Sequence, residues 1–370
     1  MTDPGTKTPI EAPLAGLHKS SGATMGSWFG AALPDRFADN WLDEYRAARE
    51  TVTLIDKNYR AYLRFAGPDR VRYLNAILTN NVKDLPFGHG NVSLFLNPQG
   101  RIQAEIETYS EIENLFCVSY AMIRDSLVPA LDKFIIMDDV TLTDETKNFG
   151  TLALEGPRAV GVSNALTALD LQDFRELEFR EVLVRGIPCR IVRRSSGGLP
   201  GAEFVVRTEH LSRLWETLQE AVASSGGQTM GYTALNALRL EQGIPWFGYD
   251  FGDKQIPHEA GLQDSHISFT KGCYTGQEIV ERVRSRGQVN RVRALLKIDH
   301  AEPRSSGTLL LADGKEVGHI TRSAFSPALQ SAIAMAYVRR ENSTPDAKLQ
   351  CDGIIATVIL PLLSAIARKA

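Results

Sequence analysis

The sequence predicts an α+β protein: two successive mixed α/β units of strand-helix-strand-strand-helix-strand (ferredoxin-like) type, then an all-β C-terminal part. Three observations carry this. Short apolar runs with strand period are interleaved with helix-period segments as far as Arg286. The same succession of signals restarts after Asn148. From Val292 onward, short strands recur between Gly and Pro turns, the pattern of a small β-barrel or sandwich.

Residues 1–34 are rich in Gly, Pro, Ser and Thr and are expected to form an extended lead-in. Phe37, Trp41, Tyr45 and Ala48 recur at helical spacing and predict a helix over Asp35–Thr51. Alternation over Leu54–Phe65 predicts one strand. Gly67-Pro68-Asp69 makes a turn whose Asp69 is expected to cap a helix over Val71–Leu78. Residues 91–96 and 102–109 flank Asn97-Pro98-Gln99-Gly100 and predict a hairpin. A strand at Asn114–Ser119 and a helix at Arg124–Phe134 complete this part.

In the second unit, Thr151–Leu154 predicts a strand that ends at Glu155-Gly156-Pro157, with a helix from Arg158. Strands follow at Val182–Val184, Cys189–Val192 and Glu203–Val206, and an amphipathic helix at Glu209–Ala223. The last part carries strands at Leu295–Ile298, Thr308–Leu311, Gly318–Ile320, Ile333–Val338 and Ile354–Ile359. The expected domains are 1–150, 151–286 and 287–370.

Of 370 residues, 43% are hydrophobic and 23% charged, which excludes a disordered or fibrous chain. The 41 Lys and Arg against 44 Asp and Glu give a net charge of -3, whereas a generalised nucleic-acid binder carries a basic excess. Cys117, Cys189, Cys273 and Cys351 are widely separated, with no CxxC pair, which points to a reducing compartment. The closest histidines, His258 and His266, are too far apart for one helical face, so neither zinc nor an iron–sulfur cluster held by this chain alone is expected. Met1–Ala15 lacks the apolar centre of a signal peptide, and Pro361 interrupts the most apolar stretch, Gly353–Ile366. A cytoplasmic protein with no membrane contact is expected.

Three constellations could carry chemistry. In Lys271-Gly272-Cys273-Tyr274-Thr275-Gly276-Gln277-Glu278, two glycines bracket a Cys-Tyr-Thr run. Lys271 and a helix start just after Cys273 could each lower the thiol pKa, and Arg282, Arg284, Arg286, Arg291 and Arg293 follow. The alternative is a packed cysteine beside a solvated basic helix. Glu105 on its strand and Glu203 after Gly197–Gly201 could hold ring N–H groups or act as bases. The alternative for Glu105 and Glu107 is an exposed strand face. Arg239-Leu240-Glu241, Asp250 and Pro257–Leu262 form the third, where Arg239 and Glu241 could be an ordinary surface pair. Glycine-rich phosphate loops are absent.

Taken together these stretches resemble the folate-binding superfamily of the glycine-cleavage T-protein and its YgfZ-type relatives. Gly22-Ala23-Thr24-Met25, Trp28-Phe29-Gly30 and Glu44-Tyr45-Arg46 are similar to the T-protein opening, and Leu78–Val82 to its LLTNDV stretch. Leu152–Pro157 resembles LALQGP, Pro257–Leu262 resembles PxEAGL, and Ser326–Leu329 resembles SPxL. Lys271–Glu278 matches the YgfZ signature KGCYxGQE at every fixed position, with Arg282 and Arg286 downstream, and Leu96–Arg101 also resembles that branch.

The resemblance implies three domains in a clover-leaf ring around a central folate site, the third a small β-barrel, and a monomer. It implies tetrahydrofolate, or a one-carbon derivative, as cofactor. The T-protein's catalytic Asp falls on Glu105, one methylene longer, and its pocket Asn falls on Tyr120. Tyr109 matches a pterin-contacting Tyr, and Glu203 matches the Glu that hydrogen-bonds the pterin ring. Arg239 matches the Arg of LRLE, but Leu235 stands where T-proteins tend to carry a second Arg. Met25 of the opening joins these as a cofactor-binding position, and Cys273 and Lys271 join Glu105 as catalytic positions.

Three functions follow as expectations. The first is a tetrahydrofolate-binding protein of YgfZ type that supports iron–sulfur cluster assembly or repair, with assembly or client proteins as partners. In it, Lys271 and the arginines hold Cys273 as thiolate. The second is an aminomethyltransferase with Glu105 in the Asp role, weakened because catalytic geometry tolerates only about half an ångström. The third is an interaction module whose basic segment, Arg282–Arg293, docks an acidic partner.

Overall fold

The structure, a computed structural model, describes residues 8–362. The first seven residues of the expected lead-in and residues 363–366 of the apolar stretch lie outside them. The chain divides into two units, one holding residues up to Phe95, Ala104–Ala234 and Ser268–Tyr274, the other Leu96–Gln103, Leu235–Ile267 and the residues from Thr275.

In the first unit the lead-in is folded, not extended. β1 (Ile10–Glu11), α1 (Ala15–Ser20), β2 (Thr24–Trp28) and β3 (Ala31–Arg36) build a three-stranded sheet and its helix. Phe29 and Gly30, both at positive φ, form the two-residue turn between β2 and β3. Asp35 and Arg36 belong to β3, so the expected helix starts later, as α2 (Trp41–Glu50). Asn40 sets that start, its Oδ1 accepting from Leu42 N.

The strand expected over Leu54–Phe65 is two strands, β4 (Thr53–Asp56) and β5 (Arg60–Ala66), in different sheets. Asp56 Oδ1 accepts from Asn58 N at 2.8 Å, a local turn that breaks the run. α3 (Arg70–Ile77) follows, but Asp69 does not cap it; its carboxylate accepts from Asp139 N and Arg72 instead. β6 (Gly90–Leu96) and β7 (Ile102–Ser110) form the expected hairpin, followed by β8 (Leu115–Tyr120), α4 (Arg124–Asp132) and β9 (Thr141–Asp144). The sheet runs β6-β7-β8-β5-β9.

The pattern then repeats as β10 (Phe149–Glu155), α5 (Ala159–Thr167), β11 (Phe179–Val184), β12 (Ile187–Arg193), β13 (Gly201–Arg207), α6 (Leu211–Ser224) and β14 (Gln228–Thr229). This sheet runs β11-β12-β13-β10-β4-β14, the same order with β4 inserted beside β10. Each copy has three strands between its helices, one more than the ferredoxin-like unit. Gly67 and Gly156 precede Pro at equivalent places in the copies, at φ +98 and +134, where a Cβ would meet backbone oxygens at 2.2 and 2.5 Å. Only glycine fits there.

α3 and α4 cover one face of the first sheet through Tyr73, Leu74, Leu127 and Leu131. α5 and α6 cover the second through Val160, Leu214, Trp215 and Leu218. The opposite faces of the two sheets meet through Tyr62, Phe116, Val118, Phe179, Val192 and Val205.

The second unit takes the C-terminal part of α7 (Tyr232–Glu241), then α8 (Pro257–Ala260), α9 (Gln263–His266) and α10 (Gln277–Arg286). A closed barrel follows, made of β15 (Arg291–Ile298), β16 (Leu309–Ala312), β17 (Lys315–Ser326), β18 (Ser331–Arg339), β19 (Lys348–Cys351) and β20 (Ile354–Ile359). β19 alternates strictly but, at four residues, is too short to stand out in the sequence. Strand period decides the interior: Ala332, Ala334, Ala336 and Val338 fill the barrel, while Ile333 and Met335 pack outside it with Leu240. Among the described residues no helix is long and apolar enough to cross a membrane.

Candidate functional site

The layer between the two sheets turns polar toward one end. β5 places Tyr62 opposite Val118 and Arg60 opposite Tyr120. β7 places Glu107 opposite Val118, so Glu105, two residues earlier, lies level with Tyr120. Glu203 stands two residues from Val205 on β13. The two-residue period therefore carries Arg60, Glu105, Glu107, Tyr109, Tyr120 and Glu203 onto facing surfaces.

Glu203 is 1% exposed and fully engaged. Arg60 donates to both its oxygens, at 2.6 and 2.8 Å, and Lys57 Nζ donates to Oε1 at 2.9 Å. Burial opposes ionisation, but Arg60, Lys57 and Arg194 outweigh it and hold the carboxyl low, at about 2. Lys57 also reaches Ser196 Oγ, while Ser196 N and Gly197 N donate to Glu155. Glu107 pairs with Arg194 at 2.8 Å and accepts from the Tyr109 hydroxyl at 2.8 Å. The structure thus places Glu203 and Tyr109, both expected as pterin contacts, inside a buried network. The exposed-face alternative for Glu107 is also overturned, since it is 7% exposed.

Glu105 is half-buried, and Tyr120 Oη donates to its Oε2 at 2.7 Å. Burial first, then the Glu105 charge, raise the Tyr120 pKa well above the usual phenol value, so the phenol is the donor. Tyr120 stacks on Tyr59 (centroids 5.7 Å apart), and Tyr59 stacks on Phe29 at 4.2 Å. Tyr232 closes edge-on against both rings, its hydroxyl donating to the Asp56 carbonyl. Met25 on β2 is half-buried. Sequence reasoning missed this aromatic wall and its cations; Lys57-Asn58-Tyr59-Arg60, read as part of one strand, was the available signal.

The KGCYTGQE stretch is built from backbone contacts. Lys271 Nζ donates to the carbonyls of Asn75, Leu78 and Asn80, at the C-terminal end of α3. Its ammonium also lies 5.2 Å from the centre of the Tyr274 ring. Burial lowers its pKa to about 8. Lys271 therefore anchors the loop through these carbonyls. Cys273 is exposed, while Cys117, Cys189 and Cys351 are buried, so the packed-cysteine alternative fails. Arg282 and Arg284 pair with Glu278 and Glu281 on their own helix, which spends their charge locally.

In the second unit Gly276, at φ +82, seats against the hairpin turn, where a Cβ would lie 2.6 Å from Asn97 O. The two stretches that resemble the YgfZ branch thus touch. Arg101, after that turn, donates to Lys254 O and to Glu259 of the PxEAGL-like stretch. Arg239 is not a surface partner of Glu241, since both are fully buried. Fully buried, it bonds Asp250, Asn236 and the Ile244 carbonyl and lies over Trp246. Glu241 accepts from Ser326 at 2.6 Å, which joins the LRLE-like and SPxL-like stretches.

The GCVT N-terminal domain family model matches residues 14–271, and the glycine cleavage T-protein C-terminal barrel domain model matches residues 291–357. The chain belongs to the glycine-cleavage T-protein family. Two T-protein relatives are the aminomethyltransferases of Streptomyces avermitilis, 28% identical over 92% of each chain, and of Desulfitobacterium hafniense, 28% identical over 89% of this chain and 90% of that one. The crystal structure of the glycine cleavage system aminomethyltransferase T from Bartonella henselae superposes with a TM-score of 0.86, covering 95% of this chain and 97% of that one at 23% identity. That likeness shows the fold: mixed α/β parts and a C-terminal six-stranded barrel. The T-protein family is a tetrahydrofolate-binding family, and a folate cofactor is consistent with this membership.

Proposed function

We propose that the chain is a cytoplasmic tetrahydrofolate-binding protein of YgfZ type that supports iron–sulfur cluster assembly or repair, with the Cys273 thiol as its reactive group and assembly or client proteins as partners. The match of Lys271–Glu278 to KGCYxGQE carries the reading. It is supported by Cys273 being exposed while the other cysteines are buried. We keep the domain limits 1–150, 151–286 and 287–370 as part of the proposal.

The residues of the polar end suit a flat, hydrogen-bonding ring. Glu105 offers a carboxylate to ring N–H groups and half-buried Tyr120 a phenol and an aromatic face, with Tyr59 and Phe29 buried behind it. Folate, when bound, supplies the one-carbon-carrying nitrogen. Met25, Glu105 and Tyr120 would hold the ring, and Glu203 would act behind them by fixing Lys57 and Arg60. Glu203 reaches a ligand directly only by releasing one of these cations.

Calorimetric titration with tetrahydrofolate tests the folate half: Glu105→Ala should weaken binding at least tenfold, about 1.4 kcal/mol. Complementation of a strain lacking the relative tests the other half: Cys273→Ala should fail to restore cluster-enzyme activity while still binding folate. Rescue equal to wild type would remove the thiol from the account.

Aminomethyl transfer is the second reading, favoured by the aminomethyltransferase relatives. It predicts folate-dependent ammonia release from an aminomethyl-lipoyl carrier, abolished by Glu105→Gln. The Tyr120 to Glu105 hydrogen bond argues against it, because a bulky phenol sits where the family keeps a small amide.

A further inference from the structure

The barrel unit carries a cleft of about 730 Å³ whose lining includes Gln288, Asn290, Arg291, Arg339, Arg340 and Glu341. Arg291 opens β15 and Arg339 closes β18, and strand register sets them directly opposite each other. Like charges facing across an antiparallel pair destabilise it. Arg340 adds a third guanidinium, tied in place by its N–H on the Asn290 carbonyl and its Nη1 on the Gly287 carbonyl. All three arginines are exposed, and among the described residues none is in an ion pair. Burial, and after it the Arg291 charge, lower the pKa of neighbouring His319, so the positive field of the cleft reaches beyond it. This differs from α10, whose Arg282 and Arg284 are neutralised by their own glutamates.

We propose that this cleft docks an acidic segment of a protein partner, its carboxylates pairing with Arg291, Arg339 and Arg340. Guanidinium forks bind carboxylates bidentately, and an incoming carboxylate removes the repulsion between Arg291 and Arg339. The lining decides against other polyanions. Among the described residues no aromatic side chain lines the cleft, so bases have nothing to stack on, and Val289 is the only apolar side chain, so a bilayer has no anchor. The proposal does not depend on folate binding.

A fluorescein-labelled oligoglutamate peptide, titrated against the full chain by anisotropy, tests it. Binding should weaken at least tenfold between about 0.05 and about 0.5 M salt, as screening shortens. Arg339→Glu should weaken binding at least tenfold, and Arg291→Gln less, while Arg282→Ala leaves it unchanged. Arg339→Glu should melt no lower than wild type, since it sets opposite charges across the strand pair. No binding by wild type, equal binding by both cleft variants, or tighter binding of single-stranded RNA or inorganic triphosphate than of the peptide would overturn the proposal.

Discussion

Tyr120 donates a 2.7 Å hydrogen bond to Glu105, so the two positions expected from the resemblance to match the family's pocket Asn and catalytic Asp hold each other. The two departures expected from the resemblance meet in one interaction. The longer acid reaches toward β8, and the phenol meets it. This couples them energetically, and reverting either alone leaves the other without its partner.

Reverting both together, as Glu105→Asp with Tyr120→Asn, is expected to raise ammonia release from an aminomethyl-lipoyl carrier at least about tenfold over wild type, because positioning to about half an ångström governs such transfers. Tyr120→Phe should cost about 1 kcal/mol of stability, the net value of one hydrogen bond, in denaturant melts. A wild type that already turns over as fast as the double variant would show that Tyr120 does not block the site.

Glu203→Gln leaves Lys57 and Arg60 buried against a neutral group and is expected to destabilise the fold by about 3–5 kcal/mol at neutral pH. The Glu203 pKa is depressed, to about 2, against about 4.3 for an unfolded glutamate. Its contribution is therefore present above about pH 4.3 and is lost as pH falls through about 2. Urea melts between pH 7 and pH 2 should show the gap between wild type and variant narrowing with acid.

Lys271→Met should lower stability by about 1–3 kcal/mol, because three carbonyls at the end of α3 lose their donor. Cys273→Ala, at an exposed position, should change it by less than about 0.5 kcal/mol. Thermal melts of the pair separate the anchoring residue from the proposed reactive thiol. Equal losses would mean that Cys273 is structural.

The two glycines of the motif should behave differently. Gly276→Ala puts a Cβ 2.6 Å from Asn97 O at positive φ and should cost about 1–3 kcal/mol or more. Gly272→Ala meets nothing within 4 Å and should be close to neutral. Hydrogen exchange at the hairpin turn would report the first change directly.

Much of this was legible beforehand because its causes are local. Two-residue and helical periods placed most strands and helices, and Asn97–Gly100 marked its hairpin. The failures were local rules overridden: Asp56 and Asn58 broke an alternating run into strands of different sheets, and Phe29-Gly30 made a hairpin inside an expected coil.

What the sequence by itself determined was the family, the α+β class, the residues that face the inter-sheet layer, and the YgfZ-like signature. Only the tertiary structure decided how those side chains are spent. Glu203 stands far along the chain from Lys57 and Arg60, yet they meet within 3 Å; Lys271 meets carbonyls nearly two hundred residues before it. Arg239 goes to Asp250 in the interior, and Glu105 goes to Tyr120. Period and turn chemistry act over a few neighbouring residues, so they are written along the chain. The pairing of a buried charge is set by which distant strands come to lie side by side, and the energy of leaving it unpaired makes that choice binding.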